Sequence, residues 1–287
     1  HDFERDYRFA EAAQPEHVLP VEQRRTFQGF KRTNGKVGTR NYIGILTSVN
    51  CSASVARFIA DAFNRSGILD DYPTIDGVVP FVHGHGCGMA GRGSEGFDVM
   101  QRTEWGYATH PNIGGALLVG LGCEVMQIPG LMEDYGLKEN ENFHTMTIQA
   151  TGGTRKTIER GVEMIKDMLP RVAQARRETV PVSEIMLALQ CGGSDGYSGI
   201  TANPALGKAA DLLVEQGGTA VLCETPEIYG AEHLLTRRAA TKEIGEKLVG
   251  IIKWWEDYTA RNHGEMNNNP SPGNKAGGLT TILEKSL

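Results

Sequence analysis

The chain has 287 residues, 40% of them hydrophobic and 22% charged, with 29 basic against 35 acidic side chains and a formal net charge of -6. That is enough apolar material for one large or two ordinary domains, and the mildly acidic balance, without long runs of either sign, excludes a polyanion partner such as nucleic acid. No apolar stretch reaches the roughly 18 residues of a membrane span and no export signal is present, so a cytoplasmic protein that does not cross a membrane is expected. The five cysteines are an odd number, widely spaced and each beside glycine, serine or an acidic residue, which is not the pattern of a disulfide framework.

Residues 1–25 are charged, hold Pro15 and Pro20 and keep no period, so they read as a linker or an arm lying on a neighbour. Asn34-Gly35, between polar and aromatic flanks, predicts a hairpin. An apolar strand from Tyr42 to Thr47 follows. After Asn50-Cys51-Ser52, the residues Val55, Phe58, Ile59, Ala62 and Phe63 stand at helical spacing. Strand, polar turn and helix make an α/β unit, and further strands are expected over 76–82, 115–119 and 143–148. Ile158, Val162, Ile165, Met168 and Val172 share one face of a long helix over about 154–177, which Pro170 should kink or divide.

The pattern then restarts with a strand over 184–189. Asn203-Pro204 should open a helix with a capping asparagine, and Gly217-Gly218 should close it before a strand at 219–222. A helix over about 242–261 is expected to bury Ile244, Leu248, Ile251, Ile252, Trp255 and Tyr258, with Trp254 also read as core. The tail is polar and rich in glycine and proline until Leu279, where another helix begins, so the fold is expected to continue beyond the chain. The fold class is α/β with a predominantly parallel sheet: a Rossmann-like layered domain over 26–178, then the first part of a second α/β domain over 179–287.

Cys51, Cys123, Cys191 and Cys223 each fall within about four residues of a predicted strand end, and Cys87 falls five beyond another. Ligands of open parallel sheets bind outside the carboxyl ends of the strands. Asn50, Cys51 and Ser52 lie at a helix start that suits a carboxylate. Glu124 follows Cys123, Glu224 and Glu227 follow Cys223, and Cys191 opens a second glycine-rich loop that reaches Asp195, so thiols and carboxylates are expected in a common cleft. In FVHGHGCGMAGRGSEG, His83, His85 and Cys87 alternate with glycine; extended, they would point the same way, and imidazole with thiolate suits iron or zinc. The competing reading is a hydrogen-bonded surround or a substrate contact. No phosphate or dinucleotide motif is present. Arg40 and Arg92 offer planar forks for a carboxylate, with solvated surface arginines as the alternative.

GFKRTNGKVGTRNYIGILTSVNCS, FVHGHGCGMAGRG, HPNIGGALLVGLGCE, LQCGGSDGYSGITANPALG and NNNPSPGNKAGGLTTILEKSL together resemble the altronate dehydratase and galactarate dehydratase family. The resemblance runs from about residue 25 to the end and implies a middle section lacking a small N-terminal domain and much of the C-terminal one. It implies an Fe2+-dependent hydro-lyase, or one using another divalent metal, that converts a hexonate or hexarate, altronate first and galactarate next, to a 2-keto-3-deoxy acid. The expected partners are the sugar acid, the missing domains and further copies of the protein. With that chemistry His85, His83, Glu124 and Asp195 are the catalytic candidates. Arg40, Asn50, Cys51, Ser52, Arg92 and Glu227 are the substrate-binding candidates, and His83, His85, Cys87 and Cys191 the metal candidates. The alternatives are the large subunit of a sulfolactate-type sulfo-lyase and an inactive module that binds sugar acids or dimerises.

Overall fold

The structure is a computed structural model and describes residues 18–279 and 281–283. Most of the arm expected over 1–25 lies outside the described residues. Chain contacts divide the protein into two units, one from Phe27 to Val180 and one that joins the residues up to Thr26 to those from Pro181 onward.

In the Phe27–Val180 unit, β1 (Thr26–Lys31) and β2 (Val37–Gly38) pair antiparallel. The turn between them puts Gly35 at φ 81°, the left-handed backbone for which an Asn-Gly pair is suited. β3 (Tyr42–Thr47) leads through a 3-10 turn at Asn50–Ser52 into α1 (Ala53–Asn64). Then come β4 (Gly77–Phe81), α2 (Glu95–Ala108), β5 (Ile113–Gly120), α3 (Ile128–Tyr135), β6 (Phe143–Thr147), the short α4 (Ile148–Thr151), α5 (Thr154–Val172) and β7 (Arg177–Pro181). β3 to β6 form one sheet in the order β4-β3-β5-β6, with every pairing parallel, and β7 joins the hairpin in the order β2-β1-β7.

Both faces of the sheet are covered at its centre, which is why β3 and β5 read as apolar runs. Ile43, Ile45, Leu117 and Val119 pack against Val55, Ile59 and Phe63 of α1 and Ile165, Met168 and Val172 of α5. Leu46, Ala116 and Leu118, one residue out of phase, pack against Ile128 and Leu131 of α3. Two sequence expectations need correction. Phe58 is 56% exposed, because it lies about 130° round the helix from the centre of the buried face, at roughly 100° per residue. α5 is not divided: Pro170 falls in its last turn, where a missing N–H ends a helix rather than splitting it.

In the other unit, β8 (Met186–Leu189) precedes α6 (Gly196–Ile200) and α7 (Ala202–Glu215), and β9 (Thr219–Leu222) pairs parallel with β8. α8 (His233–Thr236), α9 (Lys242–Arg261) and α10 (Pro272–Ala276) follow. Asn203 is not the cap of α7; Thr201 precedes the helix and Asn203-Pro204 sit inside its first turn. The chain before β1 belongs here: Leu19 N–H donates to the Glu215 carbonyl at 2.8 Å and Arg25 N–H to Gln216 Oε1 at 2.6 Å. The face expected to bury α9 is largely open. Only Gly245 and Ile252 are buried, Ile244, Ile251, Trp254 and Tyr258 are exposed, and Trp254 stacks on Tyr258 with centroids 5.2 Å apart. No helix among the described residues is long and apolar enough to cross a membrane.

Candidate functional site

Because β3, β4 and β5 are parallel neighbours, the loops that follow them emerge at one end of the sheet, and hydrogen bonds sew them together. Asn50 N–H donates to the His85 carbonyl at 2.9 Å and Asn50 Nδ2 to the Gly84 carbonyl at 3.4 Å, joining the first loop to the second. Val125 N–H donates to the Cys87 carbonyl at 3.0 Å, joining the second to the third. Cys51, Cys87 and Cys123 are all exposed on these loops, unlike thiols that serve merely as core hydrophobes. Ser52 differs: it is buried, and its hydroxyl donates to the Val49 carbonyl at 2.8 Å.

Glu124 closes the third loop. Its Oε1 accepts from Ser48 Oγ at 2.6 Å and Leu121 N–H at 3.0 Å, and its Oε2 from Gly122 N–H at 2.6 Å. Burial by itself raises the pKa of this carboxyl, but the donors, led by Ser48, outweigh burial and hold it below the ordinary carboxylate value. Two glycines make the fit. A side chain on Gly120 would collide with Glu124 Oε1 and Ser48 Oγ, and one on Gly122, at φ 122°, with Gln149 Oε1. Glu124 is thus an ionised carboxylate fixed by its own loop. Ser48, which the sequence reading passed over, could have been found as the last polar residue before the Asn50 turn.

His83 and His85 lie side by side, with ring centroids 5.7 Å apart. His83 is spent at both nitrogens: Nδ1 accepts from His85 N–H at 3.1 Å, which puts the proton on Nε2, and Nε2 donates to the Thr47 carbonyl at 2.7 Å. Burial lowers its pKa, the Thr47 carbonyl pulls it partly back and His85 lowers it again, so the ring stays neutral below the ordinary histidine value. A ring so engaged has no lone pair for a metal. His85 and Cys87 remain as donors, and Cys191 belongs to the other unit. Among the described residues no three His, Cys, Asp or Glu side chains group as a metal site. These residues do not fit a self-contained iron centre, which needs at least three protein ligands.

Neither arginine joins the loops as a free fork. Arg40 precedes β3, at the sheet's amino end, with its N–H held by Asn112 Oδ1 at 3.1 Å; β3 puts about 20 Å of strand between it and Asn50. Arg92 lies on the loop before α2, but its Nη1 pairs with Asp134 Oδ1 at 2.8 Å, and Gln101 Nε2 donates to Asp134 Oδ2 at 2.9 Å.

The remaining candidates sit in the second unit. Cys191 follows β8 and Cys223 follows β9. Glu224, at φ 63°, accepts from Cys191 N–H at 2.8 Å and fastens the two strand ends. Asp195 caps α6, its Oδ1 accepting from Ser198 N–H at 2.7 Å. Beside the strand ends opens a cavity of about 390 Å³, lined by Cys191, Ser194, Glu227, Asn268, Asn269 and Asn274 among others. The asparagines were read as a polar tail and as part of the family resemblance, and Ser271-Pro-Gly-Asn274 forms a capping box with asparagine in place of the usual Glu or Gln.

Parallel strands whose carboxyl ends carry glycine-rich loops with imidazole, thiol and carboxylate groups are the arrangement by which α/β proteins bind small molecules. The chain belongs to the D-galactarate dehydratase/altronate hydrolase family: residues 29–173 match its second domain and residues 182–287 its C-terminal domain. It is 37% identical over 265 residues to an altronate dehydratase of Bacillus subtilis, covering 92% of this chain and 52% of that protein. It is 39% identical over 279 residues to the galactarate dehydratase (L-threo-forming) of Escherichia coli, covering 95% of this chain and 53% of that protein. A weaker match, 29% over 273 residues, is to the (2R)-sulfolactate sulfo-lyase subunit beta of Chromohalobacter salexigens, covering 92% of this chain and 63% of that protein. The chain spans about half the length of the dehydratases it matches.

Proposed function

We propose that the chain is part of a hydro-lyase that removes water from a hexonate or hexarate, altronate first and galactarate next, to give a 2-keto-3-deoxy acid. The observation that carries this reading is the pair of consecutive matches to the second and C-terminal domains of one dehydratase family. The chemistry requires a base for the proton α to the carboxylate and an acid for the departing 3-hydroxyl. His85 is the candidate proton carrier: its ring is exposed, and its loop is held by the Asn50 N–H. Asn50 and Cys51, exposed on the facing loop, are the candidates to bind the substrate. His83 and Glu124 support this pair by fixing the backbone. For the iron that the family resemblance implies, His85 and Cys87 would be the candidate donors on this loop, and among the described residues no third ligand groups with them.

The test is product analysis with altronate, galactarate and sulfolactate, using the natural full-length protein and its His85→Ala variant. Formation of the keto-deoxy acid, lost by roughly 100-fold or more in the variant with the thermal midpoint within a few degrees, is expected. Sulfite release from sulfolactate alone would favour the sulfo-lyase reading, and absence of turnover on all three would leave a binding module. An active but poorly folded variant would make His85 structural.

A further inference from the structure

We propose that Asp134 is a positioning residue: through Arg92 it holds in place the glycine-rich loop after β4, on which His85 and Cys87 stand. For its effect on catalysis this rests on the reading above; its geometry lies wholly in the Phe27–Val180 unit. Packing does little to hold this loop, since Gly84, Gly86, Gly88, Gly91 and Gly93 would each meet nothing if they carried a side chain. Up to Cys87 its anchors are directional. His83 Nε2 donates to the Thr47 carbonyl, and the amides of Asn50 and Val125 donate to the carbonyls of His85 and Cys87. Beyond Cys87, Met89 packs against Phe97, Met100 and Met126, and Arg92 reaches across to α3.

Arg92 finds a partner that is already set. Asp134, in the last turn of α3, accepts at Oδ2 from Nε2 of Gln101, a buried residue of α2, at 2.9 Å, and at Oδ1 from Arg92 Nη1 at 2.8 Å. With both oxygens engaged the carboxylate has little freedom to turn, so the rotamer cost that usually cancels an exposed ion pair is small on this side. α3 also makes room for the guanidinium. A Cβ on Gly130 would stand 3.1 Å from Arg92 Nη2, at a helical position where glycine is otherwise a poor choice. The Arg92 charge thus fastens the loop to two helices.

The experiment follows amide exchange by NMR in the chain carrying Asp134→Asn, Arg92→Ala or both. Asparagine offers one oxygen to two donors, so Arg92 or Gln101 loses its acceptor. The amides of Asn50 and Val125, which report whether the loop is seated, should exchange about fivefold faster in each single variant, with the amides of β3 and β5 unchanged. The double variant should be no faster than the singles, because the two residues act through each other. In the full-length protein the same variants should lower kcat more than they raise KM. Unchanged exchange at Asn50 and Val125, acceleration that extends to β3 and β5, additive effects in the double variant, or a raised KM at constant kcat, which would make Arg92 a substrate clamp, overturns the proposal. Faster exchange at Asn50 and Val125 without turnover of altronate or galactarate by the full-length protein upholds the positioning and refutes the hydro-lyase reading; turnover with unchanged exchange does the reverse.

Discussion

Glu124 owes its ionised state to four donors supplied within a few residues of itself and by Ser48 on the adjacent strand end. Removing it would leave buried donors unpaired, so Glu124→Ala should cost about 2–4 kcal/mol, whereas Ser48→Ala, which spares the amide contacts, should cost about 1 kcal/mol. Chemical denaturation of the two variants measures the difference; equal costs would mean that the loop amides contribute nothing. This is also where sequence reading reaches its limit. That His83, His85 and Glu124 gather near a strand end follows from their place after apolar runs. That two of the three are engaged by backbone groups depends on where a carbonyl and three amides point, which spacing does not encode. Arg40 is the opposite case: its position before the strand already placed it at the sheet's amino end.

Along the elements, the two central strands β3 and β5 were legible because both of their faces are buried and neither shows alternation. The face of α9 was legible only as periodicity, which tells which residues share a face and not whether anything covers it; α7, read only from its end signals, buries none of its residues. α2 carries a further property. Glu104 is buried, its Oε2 has no hydrogen-bond partner among the described residues, and burial raises its pKa to about 8. The unfolded chain ionises this group near the ordinary carboxylate value, while the folded helix resists ionisation, so the folded state loses stability as pH rises from about 4.5 to about 8. Glu104→Gln should therefore raise the thermal midpoint by several degrees at about pH 8 and leave it nearly unchanged at about pH 4.5. A midpoint gain that is the same at both values would show that the effect is packing and not charge.

For the whole molecule, burial is uneven. Among the described residues, the second unit buries only Ala231, Ile252, Met266 and Leu279 of its hydrophobic side chains, while Ile200, Met186 and Leu222 are more than half exposed. The Phe27–Val180 unit holds both layered cores. Local stability follows buried apolar contacts. Hydrogen exchange on the chain should therefore show β3, β5 and α1 protected well beyond β8, β9 and α7, and equal protection would contradict this account.

The two-part makeup of the second unit also sets a schedule. Leu19 finds its partner, the Glu215 carbonyl, only after almost 200 further residues have left the ribosome, an interval of about 10–40 s at ordinary rates of synthesis. The continuous stretch from Phe27 to Val180 is complete before then, and small domains fold within that time. Vectorial synthesis thus finishes the layered sheet first and leaves the leading segment waiting, so a chaperone that meets the nascent chain would find its open apolar surface late, on α7 and α9, rather than early.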